Sequence, residues 1–259
     1  GEVQEVWDQW DYLFEGTVGP GPHRIRVSPY DTERKIWVVH ETGHQIFVFS
    51  NDGEELLMTL GEKNTPGWDE AHFNQPQDVA FLPDGRVLIA DGYVNQRVVV
   101  LGADGRYLGE FGEEGEELGQ FRVVHSIAVA PDGLLLVADR DNRRIQLFRE
   151  EGSGGADFVA VDEWTGFGLT LDIIVSDRTV WISHVGPPKV TRMELDGTRV
   201  GTWSLPREGP LGFLEMHSFA VDAEGNLYGS DNQNGRTQKL VPRADADPGA
   251  LIGPVYIRR

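Results

Sequence analysis

Three histidines stand at matching places in this 259-residue chain. His125 opens "HSIAVAPDG" and His217 opens "HSFAVDAEG", each followed at once by an alternating apolar run. His23, in "GPHRIRVSPYD", holds the same place a third time. Three neutral imidazoles brought to one point would bind Zn²⁺ or another divalent transition metal and leave a coordination position for water or substrate. Calcium would require carboxylates and carbonyls instead. A single histidine ahead of an inner strand can equally serve as a hydrogen-bond partner for its neighbour. The metal reading therefore depends on the three sharing one register.

The register comes from a repeat. One copy reads "QDVAFLPDGRVLIADGYVNQRVVVLGADGRYLGEFG" (77–112), an inner strand, a "PDG" turn, a second strand ending in Asp, a polar loop, a third strand, a "DG" turn and an outer strand. Related copies span about 23–61, 125–164, 171–205 and 217–257, so the starts recur every 45–54 residues or so. Four antiparallel strands at that period predict an all-β fold, a β-propeller of four-stranded blades forming one domain over residues 1–259. Alternation such as Ile127 and Val129 buries one face of each blade, and the "DG" turns supply the positive φ that tight hairpins need.

Five repeats are visible, plus an orphan N-terminal strand. "GEVQEVWDQW" copies the outer strands, so residues 1–22 are expected to provide a closing strand and a connector. If five blades close the ring, residues 2–7 should pair near Arg236–Val241. In a six-bladed ring one blade would be incomplete or built from "ALIGPVYI" (250–257). Both arrangements are open at this level.

Blade geometry then places chemistry. Strand-one starts share a face with the loops between strands two and three, so His23, Gln77, His125, Leu171 and His217 form a ring around the axis. The loops bring His40, Glu41 and His44, then Asp91, Gly92 and Tyr93, Asp139 and Arg140, His184 and Asp231 to that face. No ligand spacing joins His40, His44 and His184. The seven Trp are read as blade-packing residues.

Composition narrows the rest. The 32 Gly and 14 Pro favour short strands and turns. Forty-two acidic against 23 basic residues give a net charge of −19. That field repels phosphate backbones, so no nucleic-acid partner is expected. No apolar run approaches the roughly 18–20 residues of a membrane span. There is no Cys, which excludes disulfides and thiolate chemistry. Gly1 opens no signal-peptide pattern, which leaves open a soluble protein exported with its signal segment removed.

The units resemble NHL-type propeller repeats. More specifically, "FNQPQDVAFLPDGRVLIADGYVNQRV", "HSIAV" and "ADRDNRRIQLF" resemble the peptidyl-α-hydroxyglycine α-amidating lyases and their bacterial relatives, over most of residues 23–241. The resemblance implies zinc on the axis, held by His23, His125 and His217. It implies a catalytic tyrosine at Tyr93 and an active-site arginine at Arg140. It also implies cleavage of a peptide ending in α-hydroxyglycine to a peptide amide and glyoxylate, with Tyr93 as phenolate taking the hydroxyl proton and Arg140 steadying the developing charge. The family's third histidine is followed by an Asp that helps hold a structural calcium, where this chain has Ser218. Its active-site Met lies two residues before that histidine, where this chain has Met216 directly adjacent as the nearest substrate contact. A further family arginine, from a first blade, has no assignable counterpart.

Two other classes fit the same residues. A metal with an activated water would serve a hydrolase of esters, lactones or phosphoesters, and a propeller can also be a non-catalytic binding module. In each case the partner is a small molecule or a peptide.

Overall fold

The computed structural model of the chain describes all residues except 1, 2, 4, 20, 153, 177 and 246–259. It is a five-bladed propeller. Blade 1 is built from β1 (Pro22–Val27), β2 (Ile36–His40), β3 (Gln45–Phe49) and β4 (Leu56–Leu60). Blade 2 follows with β5 (Asp78–Phe81), β6 (Val87–Asp91), β7 (Arg97–Leu101) and β8 (Tyr107–Phe111). Blade 3 comprises β9 (Val124–Val129), β10 (Leu135–Asp139), β11 (Arg144–Glu150) and β12 (Phe158–Trp164). Blade 4 comprises β13 (Leu169–Ser176), β14 (Thr179–Val185), β15 (Lys189–Glu194) and β16 (Arg199–Ser204). Blade 5 has three strands among the described residues, β17 (Ser218–Val221), β18 (Leu227–Asp231) and β19 (Arg236–Leu240). No helix among them is long and apolar enough to cross a membrane.

Strands form where the β-branched and apolar runs lie, and turns where a residue tolerates positive φ. Gly133, at φ 82°, is the αL residue of the β9–β10 hairpin. The side chains that alternate outward from each sheet then meet those of the next blade. Trp37, Val39, Ile46 and Val48 pack on Val79, Phe81 and Ile89 between blades 1 and 2. Comparable clusters seal blades 2 to 3, 3 to 4 and 4 to 5. Among the described residues no apolar cluster joins blade 5 to blade 1.

The N-terminal expectation is corrected here. No described residue before Pro22 is in a strand; residues Asp8–Leu13 form a 3-10 helix. Trp7, Trp10, Leu13 and Phe14 pack on Val38, Phe47 and Phe49, the blade 1 face turned away from blade 2. Trp10 Nε1 donates to the Gly53 carbonyl at 2.7 Å. Three large aromatic rings within eight residues cover more of a flat sheet face than an edge strand would, and they need no ladder partner. Residues 250–257, the alternative source of a last strand, lie outside the described residues.

What crosses the unsealed seam is polar. One residue after each ring position stands Arg24, Asp78, Ser126, Asp172 or Ser218, and these five side chains meet on the axis. Arg26 donates to both oxygens of Asp78 at 2.9 and 2.8 Å and to Asp172 at 3.2 Å. Arg24 Nη1 lies 2.9 Å from Asp172 Oδ2 and donates to Ser218 Oγ at 2.5 Å. Ser126 Oγ donates to Asp78 at 2.8 Å, and Ser218 Oγ to Asp172 at 3.0 Å. Backbone N–H groups of Ile127 and Phe219 complete the shells of Asp78 and Asp172. Burial pushes the Asp78 carboxyl up, but Arg26 and Arg24 outweigh it and bring it down to about 2.

Removing one partner of such a fully buried network leaves uncompensated charge, which costs about 3–5 kcal/mol, whereas an exposed pair is worth under about 1 kcal/mol. Asp172→Ala should therefore lower stability by that larger amount in urea unfolding. Asp132→Ala, which removes the exposed partner of Arg149, should change it by less than about 1 kcal/mol.

Candidate metal centre

The ring residues are aimed by a repeated local device. β1 pairs Pro22 with His40 and Arg24 with Val39, so His23 is the extra, unpaired residue of a β-bulge. The same shift leaves His125 unpaired between Val124 and Ser126 in β9, and Leu171 between Thr170 and Asp172 in β13. At the start of β17 the His217 N–H donates to the Ser230 carbonyl at 2.9 Å. A bulge turns one side chain out of the alternation. Here it turns it towards the axis.

The ligand atoms of His23, His125 and His217 all lie within 4.8 Å of one another. Their rings pack edge to face, with centroids 4.8 to 5.2 Å apart. His23 Nδ1 donates to the Gln77 carbonyl at 2.8 Å, and His125 Nδ1 to the Leu171 carbonyl at 2.6 Å. Each acceptor is the ring residue of the next blade. A hydrogen bond from Nδ1 fixes the tautomer that leaves the Nε2 lone pair free, the arrangement a metal-bound imidazole requires. His23 Nε2 is buried and has no hydrogen-bond partner. Burial lowers all three imidazoles below the ordinary value, His23 to about 3 and His217 to about 4, with Arg24 adding to the effect on both. His125, fully buried, is also held well below the ordinary value, by burial and by its two histidine neighbours. The three are thus neutral near pH 7. A donor set of three neutral, converging nitrogens fits a divalent transition metal.

Beside the triad stand the two other expected residues. Tyr93, from the β6–β7 loop, puts its hydroxyl 3.4 Å from His125 Nε2. Arg140, from the β10–β11 loop, donates to that hydroxyl from Nη1 at 3.1 Å and lies 5.0 Å over the ring. Its Nε is paired with Asp141 at 2.8 Å. The loops that carry both residues are held by the Asp that ends strand two. Asp91 accepts from the Asn74 N–H, Asn95 and Arg97, and Asp139 from the Arg122 N–H, Asn142 and Arg144. Without a metal, burial pushes the Tyr93 phenol above the usual value, and Arg140 offsets this only in part.

His40, His44 and His184 stand apart from the triad. His40 and His184 occupy the strand-two end that is Asp in the other blades, and His184 takes over that role by accepting from the Gly168 N–H at 3.1 Å. His44 Nδ1 accepts from the Gln75 N–H at 3.1 Å. Met216 is also placed differently from its expected substrate contact. It is 1% exposed and packs with Phe213, Phe219 and Trp181 in the core between blades 4 and 5. An apolar thioether directly before the ring position falls on the core side of the alternation, away from the axis.

The triad opens into a cavity of about 920 Å³ lined also by Arg24, Glu41, Gln75, Tyr93, Arg140 and Ser218. Glu41 was legible only as a member of a loop on this face, although it follows the strand-two end as Arg140 does. It is held by a turn in which the His44 N–H donates to its carbonyl at 3.1 Å. Gly43 completes that turn under the His40 ring, where a Cβ would come within 2.2 Å of Cδ2. The Glu41 side chain is nearly buried, and burial raises its carboxyl to about 7 against the opposing pull of Arg140 and Gln77.

The chain is similar to known proteins over most of its length. The NHL repeat model matches residues 73–101 and 121–148. A probable peptidyl-alpha-hydroxyglycine alpha-amidating lyase of Caenorhabditis elegans is 35% identical over 223 residues, covering 85% of this chain and 55% of that protein. Peptidyl-alpha-hydroxyglycine alpha-amidating lyase 1 of Drosophila melanogaster is 32% identical over 279 residues, covering 97% and 49%. The chain thus spans about half the length of these relatives, and 14% of the peptidyl-glycine alpha-amidating monooxygenase A of Xenopus laevis, to which it is 40% identical over 136 residues. Virginiamycin B lyase of Staphylococcus aureus shares the fold, with a TM-score of 0.58 at 15% identity over 87% of this chain and 72% of that one.

Two outcomes are expected from the centre itself. Purified protein should bind close to one divalent transition-metal ion per chain, measured by elemental analysis after dialysis, and the His125→Ala/His217→Ala double variant should bind none. Glu41 should show in the pH dependence of stability. Between the unfolded value near 4.5 and about 7 in the fold, the folded chain holds more protons than the unfolded one. Stability should therefore fall as pH rises through that window and level off above it. In metal-stripped protein, Glu41→Gln should be more stable than the parent at pH 8 by roughly 1–3 kcal/mol in urea unfolding, with the gain gone by pH 4.

Proposed function

We propose that this NHL-repeat β-propeller, a relative of the peptidyl-α-hydroxyglycine α-amidating lyases, is a zinc-dependent lyase that cleaves the carbon–nitrogen bond of an N-acyl α-hydroxyglycine. The observation that carries the reading is the convergence of three neutral imidazoles beside a hydrogen-bonded Tyr–Arg pair at the floor of one cavity. A divalent ion held by His23, His125 and His217 would supply Lewis-acid charge to the substrate's oxygen and favour the ionised phenol against the burial that opposes it.

The chain's own residues do the rest. Tyr93 is the base for the substrate hydroxyl proton, since its oxygen is the titratable group in hydrogen-bond reach of the triad. Arg140 orients that oxygen and offsets negative charge as it develops. The fixed Nδ1 hydrogen bonds of His23 and His125 keep the donor set rigid during turnover. The cavity volume suits a small molecule or the end of a peptide.

Tyr93→Phe keeps the packing and deletes the hydroxyl. On an N-acyl α-hydroxyglycine peptide it should lower kcat by something on the order of 10²–10⁴ with metal content unchanged. Arg140→Ala should slow turnover as well, and a chelator should abolish it reversibly. An activated ester run in parallel separates the classes: metal-dependent turnover of the ester alone, insensitive to Tyr93→Phe, would assign the site to a hydrolase.

A further inference from the structure

We propose that Glu41 is a second proton-transfer residue of this cavity, the acid that protonates the leaving atom of the substrate while Tyr93 removes the hydroxyl proton. This rests on the lyase reading above and adds to it the group that the reaction otherwise lacks.

Three observations place it there. Glu41 lies on the β2–β3 loop of blade 1 and lines the cavity that His23, Tyr93 and Arg140 also line. Among the described residues no guanidinium or ammonium pairs with its carboxyl, since Arg140 is engaged by Asp141 and the Tyr93 hydroxyl. A nearly buried glutamate without an ion-pair partner is costly unless it holds its proton. The Gln77 amide lies beside it, donating from Nε2 to the Gln75 and Pro76 carbonyls and keeping a buried Oε1 with no donor. The Gln77 contact favours the ionised carboxylate, and burial outweighs it. Gln77 stands in the axial ring, where its backbone carbonyl fixes His23 and its side chain faces Glu41.

The chemistry calls for such a group. As Tyr93 takes the hydroxyl proton, the carbon–oxygen bond becomes a carbonyl, the carbon–nitrogen bond breaks and its electron pair goes to nitrogen. An amide anion is a poor leaving group, and the Glu41 proton neutralises it as it forms. The cycle ends with Tyr93 protonated and Glu41 ionised, and one proton returns from the phenol to the carboxylate through water. The charged and titratable groups facing Glu41 are Arg140, which favours its ionisation, and Tyr93, which does not, with Arg24, Asp141 and the triad lining the same cavity. Burial decides between them and holds the proton on to about pH 7.

The test uses Glu41→Gln in the metal-loaded protein with two N-acyl α-hydroxyglycines, one with an ordinary amide leaving group and one whose leaving nitrogen bears a strongly electron-withdrawing group. Glu41→Gln should lower kcat at least tenfold on the first, lose the decline in activity expected of the parent as Glu41 ionises with rising pH, and approach the parent rate on the second. Equal losses on both substrates, or a kcat within twofold of the parent on the first, would overturn the proposal. Should the parent turn over neither, the lyase reading fails, and an NMR titration of ¹³C-glutamate-labelled protein against the variant still reads Glu41. An acid titrating near neutrality supports a proton donor at this position, and one titrating in the ordinary carboxylate range overturns it.

Discussion

Two carboxylates without access to water organise this molecule. Asp78 and Asp172 are fully buried on the propeller axis, where an unpaired charge would cost several kcal/mol. They are tolerated because Arg24, Arg26, two serine hydroxyls and backbone N–H groups saturate their oxygens. The partners come from every inner strand, so satisfying these carboxylates means bringing five strands to one point. Among the described residues, apolar clusters seal four of the five seams. Across the remaining one, Arg24 on β1 reaches Ser218 on β17 and Asp172 on β13.

The candidate centre is built directly on that layer. Each ring residue precedes a member of the network by one position, and where the ladder shifts the ring residue is the one left unpaired. Holding the network fixed therefore fixes the base of every histidine, and at His23 and His125 the bulge sets the direction. Rigidity at a metal site commonly comes from hydrogen bonds to the far side of the ligands. Here the carbonyls of Gln77 and Leu171 provide them, and both belong to the same ring.

Burial also decides the electrostatics of the cavity. The protein is strongly acidic as a whole, with a charge of −19, yet the groups around the triad are pushed towards neutrality. The imidazoles lose their protons readily, while Tyr93 and Glu41 hold theirs more tightly than in water. Charge introduced into such a place is screened weakly and felt strongly by its neighbours. The proposed chemistry draws on these shifted proton affinities.

The repeat in the sequence determined the blades, because strand alternation and turn chemistry are local properties that each copy states again. It also determined which residues share the axial face, since that follows from counting strands, and so His23, His125, His217, Tyr93 and Arg140 were legible together. The tertiary structure alone decided the rest. Trp7 and Trp10 read as outer-strand residues from their surroundings in sequence, but the face of blade 1 they cover is formed by residues some thirty or more positions away. Met216 lies next to a ring histidine yet points into a core shared by blades 4 and 5. Glu41 carries no motif, and its proton affinity arises from burial beside Gln77 and Arg140, side chains of two other blades. Local pattern fixes the elements; desolvation, which depends on what closes over a group in space, fixes what its chemistry can be.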